Sequence, residues 1–211
     1  VNALGSSTTA DNNTAVGVGS LQNNTTGSTN AALGLNSLRS NTTGSANAAL
    51  GAYALRDNTT GGNNSALGNG AMTQNTGGQQ NTAVGQASMY ANTIGSNNVS
   101  LGYSALAANT TGDYNTGVGT GSASTLSTGS NNTIIGASAN VAASSTEGAI
   151  ALGYFASAAS NQFAIPSTIT SVKFGTLPEY ANDAAAGVGG LVAGELYQTT
   201  SGGSSVVKIK Q

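Results

Sequence analysis

Apolar and polar positions recur along the chain at one fixed interval, the step from Gly17 to Gly34. A branched apolar residue stands at Val16, Leu33, Leu50, Leu67, Val84, Leu101, Val118, Ile135 and Leu152. Each is followed by a glycine, at Gly17, Gly34, Gly51, Gly68, Gly85, Gly102, Gly119, Gly136 and Gly153. Two places before the glycine the residue is small, from Ala15 to Ala83, with Ile134 as the exception. Three places after it comes Ser or Ala, from Ser20 to Ala156. A second apolar column follows at Leu21, Leu38, Leu55, Met72, Met89 and Leu106, and fades at Ala123, Asn140 and Ser157. Asn-Thr-Thr-Gly recurs at 24–27, 41–44, 58–61 and 109–112. Asn2-Ala3-Leu4-Gly5 reads as a truncated copy that stands nearer to Gly17 than one full repeat, which implies a shortened or differently looped first turn.

A disordered linker has no reason to hold an apolar residue in strict register, whereas a solenoid does. The apolar clusters are two or three residues long, and Gly or Asn-Gly punctuates every few residues, too often for a stable helix. The pattern predicts an all-β parallel β-solenoid, or β-roll, with one repeat per coil and two short strands and two turns in each coil. Equivalent residues then stack about 4.8 Å apart, and nine coils make a rod of roughly 40 Å. The repeated glycine suits a bend where a Cβ would clash or φ must be positive. Asn-Thr-Thr-Gly reads as a turn in which Asn bonds its own backbone and Gly takes the left-handed conformation. Stacked Asn side chains add amide ladders along the axis.

The period divides the chain into a shaft over residues 1–165 and a C-terminal segment over 166–211. Phe163–Pro166 and Ile169–Gly175 look like strands, Leu177–Tyr180 like a turn, and Ala181–Gly190 is a run of small residues. Leu191–Tyr197 and Val206–Lys210 pair as a hairpin through Thr199–Ser205. A small β cap that closes the last apolar layer and blunts the sheet edge is expected here, with an attachment or receptor-reading tip as the alternative.

Composition narrows the chemistry. Charged residues are 6% of the chain, against about 25% in ordinary soluble proteins. There is no Cys and no His, so neither a disulfide framework nor the commonest general base and metal ligand is available. The basic residues Arg39, Arg56, Lys173, Lys208 and Lys210 form no patch for a phosphate backbone, and nucleic-acid binding is not expected. No run of about 20 apolar residues exists to span a membrane. The chain opens at Val1, as a processed product or a fragment would. Asp57 and Asp113 fall in different columns and do not stack into the carboxylate pair that glycosidase chemistry needs. No Asp recurs as in calcium-binding solenoids. The expectation is a non-catalytic protein without metal or cofactor. Tyr53 and Tyr103 flank the repeat glycine and suit either a sugar ring or, more readily, a neighbouring chain.

A 17-residue coil offers only about two large apolar side chains, at the positions of Val16 and Leu21. Burying one Leu contributes about 1.5–3 kcal/mol, while ordering each backbone residue costs about 1–2 kcal/mol. One apolar column is therefore expected to fill the coil and the other to pack against neighbouring chains.

The repeated Asn-Thr-Ala-Val-Gly…Ser-Leu…Asn-Thr-Thr-Gly, over residues 2–165, resembles the arrays of phage tail-fibre proteins. It is also similar to the β-roll heads of trimeric autotransporter adhesins, which Ala149-Ile150-Ala151-Leu152-Gly153 matches best. Gly189-Gly190-Leu191-Val192-Ala193-Gly194-Glu195-Leu196-Tyr197 resembles endings of phage structural proteins. The resemblance implies a left-handed β-roll, a homotrimer and a place on the virion surface as a tail or capsid fibre engaged in host attachment. Its partners would be copies of itself, other virion or surface proteins and a host glycan, with the receptor-binding residues unassigned. A bacterial surface adhesin head is the alternative, and an ice-binding solenoid a third reading. The Thr pairs sit in turns rather than on a flat strand, which weighs against the third.

Overall fold

The structure, a computed structural model, describes residues 3–6, 9–167, 196–201 and 204–209. The chain divides into two compact units, Val1–Thr168 and Ile169–Gln211.

The first unit is an all-β parallel solenoid that advances one coil per repeat. Its main sheet has ten strands, β1 (Thr14–Val16), β2 (Ala31–Leu33), β3 (Ala48–Leu50), β4 (Ser65–Leu67), β5 (Thr82–Val84), β6 (Val99–Leu101), β7 (Thr116–Val118), β8 (Thr133–Ile135), β10 (Ile150–Leu152) and β12 (Phe163–Ala164). Every pair is parallel. Register keeps to the period from Thr14↔Ala31 to Ile150↔Thr133, and the last coil is shorter, pairing Ile150 with Phe163. Phe163-Ala164 therefore extends the main sheet.

Two strands per coil was too many. The first seven coils hold one strand each. A second appears only as β9 (Asn140–Val141) and β11 (Ser157–Ala158), paired with each other. The reason lies in the second apolar column. From Leu21 to Ala123 its residues adopt φ of 48° to 52°, a left-handed conformation that breaks a strand. Asn140 and Ser157 replace them in the last coils, do not have positive φ, and there a strand forms.

Inside and outside follow two local rhythms. Over Asn30–Leu33 burial alternates every second residue, as in any strand. From Leu38 through Asn41, Gly44 and Asn47 every third residue is buried. The core of a typical coil is thus one Leu or Met with an Ala, a Ser or Ala, a Gly and two Asn. Leu21, Leu38, Leu55, Met72, Met89 and Leu106 are fully buried. Where this column shrinks to Ala123, Leu126 and Ile134 fill the interior from other columns.

The asparagines form two ladders. Asn41 donates from Nδ2 to Asn24 Oδ1 at 2.7 Å, and the same bond recurs through Asn58, Asn75, Asn92 and Asn109. The second ladder, from Asn13 to Asn132, accepts at Oδ1 the backbone N–H of its counterpart one coil on, as Asn64 Oδ1 does from Asn81 N at 3.0 Å. Within one coil both amides donate to one carbonyl. Gly44 O receives Asn30 Nδ2 and Asn41 Nδ2, each at 2.9 Å. Apart from Asn109 Oδ1, at the end of its ladder, these buried amides are thereby matched, as burial of a polar group demands.

Two expectations about turns need correction. Gly27, Gly44 and Gly61 do not have left-handed φ. They are glycine because a Cβ at Gly27 would come within 2.6 Å of Asn24 Oδ1 and 2.8 Å of Asn41 Nδ2. The left-handed residue of this turn is two places later, at Thr29, Ala46, Asn63, Gln80, Asn97, Tyr114 and Asn131. The opening segment is also not a truncated strand motif. Leu4 stands one full repeat before Leu21, shares its left-handed φ (55°), and packs partly buried on the core. Its N–H donates to Ser20 O at 3.2 Å just as Leu21 N–H donates to Ser37 O at 3.0 Å. Leu4 thus keeps the register of its column, and the likeness of Asn2–Gly5 to the strand motif is a coincidence of composition.

In the second unit β13 (Leu196–Ser201) and β14 (Ser204–Ile209) pair antiparallel from Leu196↔Ile209 to Ser201↔Ser204. The strands run closer to the turn than expected. Thr199, Thr200 and Ser205 belong to them, in keeping with the preference of β-branched Thr and Val for strands. The expected elements over 169–194 lie outside the described residues.

Candidate functional site

The side chains before the repeat glycine face outward. Leu33 is 49% exposed, Leu50 45% and Leu101 47%, while Leu38 and its counterparts are fully buried. Strand geometry requires this: Ala32 points into the coil, so Ala31 and Leu33 on either side of it point out. Parallel stacking repeats the arrangement in every coil. The outer face of the main sheet therefore carries a continuous ridge, Val16 to Leu152, beside a column with smaller members such as Thr14, Ala31, Ala48, Ser65 and Thr82. Thr14, Val16, Ala31, Leu33, Ala48 and Leu50 line a groove between the two at the first coils.

The glycines hold this ridge in place. Gly17 to Gly153 adopt φ between 113° and 141°, which side-chain-bearing residues rarely reach. A Cβ at Gly102 would lie 2.6 Å from Gly119 O, so the backbones of successive coils touch here. Both reasons expected for the glycine column thus operate together.

Among the described residues the acids and bases are dispersed. Arg56 donates from Nε to Asp57 Oδ1 at 2.7 Å and from Nη2 to Oδ2 at 2.6 Å. That bonding raises the guanidinium pKa above its ordinary value, against a small opposing effect of burial. Asp113 accepts the backbone N–H of Ser96 at 2.7 Å and so serves a turn. Among the described residues no three of His, Cys, Asp and Glu gather into a metal-binding group, and no helix is long and apolar enough to cross a membrane. Tyr53 and Tyr103 are not brought together. Tyr53 instead shares a cleft with Tyr90, which Tyr103 does not line.

Sequence reasoning identified both apolar columns. It did not foresee the Asn13-to-Asn132 ladder, although the Asn that recurs four places before every repeat glycine up to Gly136 carried the signal. No family model matches the chain, and neither the curated proteins nor the solved structures return a match.

Proposed function

We propose that this chain is a non-catalytic structural shaft whose outer strand face seats against copies of itself, forming a fibre on a virion surface. The half-exposed apolar ridge along the whole sheet carries this reading. Such a ridge is far longer than the scattered apolar side chains of an ordinary surface. Its teeth recur once per coil, about 4.8 Å apart. The partner that matches that spacing row for row is another solenoid of the same repeat in parallel register. The ridge of one copy then fits the channel beside Ala31 and Ala48 of the next.

A homotrimer is the assembly that the repeat's resemblance to fibre and adhesin arrays favours. The same likeness favours attachment to a host surface, with a bacterial adhesin head as the alternative location. Leu50→Asp combined with Leu67→Asp tests the seam by sedimentation velocity. The two charges lie outside the coil, so the pair is expected to release monomer while the far-UV circular dichroism keeps its β form. An unchanged mass would remove the strand face from the interface.

A further inference from the structure

A second concavity is built from the columns that follow the repeat glycine. Tyr53 and Tyr90 line it from the coils on either side of one whose own contribution is Asn69, Gly70 and Thr73, and Arg56 completes it. Its volume is about 170 Å³.

The cleft exists because position 70 has no side chain, and the coil does not require that. A Cβ at Gly70 would meet only Thr73 Oγ1 at 3.4 Å and Tyr90 Cδ2 at 3.9 Å, which are ordinary contacts. Its left-handed φ of 69° is matched in the same column by Tyr53 at 62° and Ala87 at 54°. Gly102, by contrast, is required by the backbone of the next coil. The floor is fixed, since the buried Thr73 hydroxyl donates to Gly70 O at 2.8 Å.

The walls offer two kinds of contact. Tyr53 and Tyr90 are each more than one-third exposed, and each brings an aromatic ring and a phenolic hydroxyl to the lining. Arg56 and Asn69 supply N–H donors. The charge of Arg56 is already matched by Asp57, so the site holds no unpaired cation to attract an acid. Aromatic rings beside N–H donors suit a ligand with an apolar C–H face and a rim of hydroxyls.

We propose that this cleft binds one neutral hexopyranose unit, its C–H face against tyrosine and its hydroxyls on Arg56 and Asn69. The cleft lies on a single chain and shares no residue with the strand ridge, so failure of either reading leaves the other standing.

Saturation-transfer NMR of the full chain with methyl glucoside, mannoside and galactoside, and with methyl glucuronide as an acidic comparison, tests this. Transfer is expected onto ring C–H protons of at least one neutral glycoside. Tyr90→Ala should weaken it about tenfold, the order of one lost aromatic contact. Gly70→Tyr should abolish it without changing circular dichroism or mass, because the column already holds Tyr at 53. Gly70→Ala, the residue this column holds at 87, narrows the cleft and gives a partial loss should the tyrosine variant not fold. Absence of transfer from all three neutral glycosides, transfer undiminished in the Gly70 variants, or stronger binding of the glucuronide would each overturn the proposal.

Discussion

At the residue scale, the two apolar columns have the same chemistry and opposite fates. Leu55 is fully buried and Leu50 is 45% exposed. Leu55→Ala removes most of the large side-chain volume from its coil, and should cost about 2–5 kcal/mol of stability. Leu50→Ala opens no internal cavity, and its cost should appear only in self-association. Denaturant titration under dissociating conditions separates the two, and equal losses would contradict the inside–outside assignment. The amide ladder has its own signature. Asn75→Ala leaves the buried Asn58 Oδ1 without its donor, and removes one of the two bonds made by Asn92 Nδ2. An orphaned buried acceptor costs about 1–3 kcal/mol, which the same titration would register. Among the described residues two buried oxygens already stand without a partner, Asn109 Oδ1 and Ser122 Oγ. Asn109 Oδ1 has none because the next residue in its column is Leu126.

At the scale of the element, the coil is held by its backbone more than by its core. Four residues per typical coil have positive φ, for example Gly34, Asn36, Leu38 and Ala46. Left-handed geometry costs a residue with a side chain about 1–2 kcal/mol. It persists because hydrogen bonds to neighbouring coils define it, as Leu38 N to Ala54 O at 3.0 Å and Asn36 N to Val18 O at 2.8 Å do. Gly85→Val combines a forbidden φ with a Cβ against the Gly102 carbonyl, and should cost about 3 kcal/mol or more. Hydrogen exchange should show the loss centred on β5 and β6. Protection equal to the parent's would refute one coil per repeat.

The same geometry explains what could be read from the sequence. Period, strand register and the glycine column were legible, because stacking forces equivalent residues into columns. The left-handed turns were not, since Leu38 and Ala46 are residues that no turn rule places at positive φ. Two strands per coil was the natural but wrong inference from a second apolar column. The Tyr53–Tyr90 cleft escaped notice for another reason: it depends on a missing side chain, at Gly70, between two columns.

At the scale of the whole molecule, the solenoid resembles a one-dimensional stack in which each coil contacts only its neighbours. One large buried side chain per coil is a thin core. The outer ridge holds as much apolar side chain again, and it faces solvent in a single chain. Association that covers the ridge would add to every coil at once, so stability and assembly are expected to be linked and dependent on concentration. The most direct measurement is the molar mass in solution by light scattering, taken with a far-UV circular dichroism spectrum. A β spectrum at about three times the 20.3 kDa chain mass is the expected result. A stable monomer with the same spectrum, its apolar ridge left in water, would contradict the shared-face account.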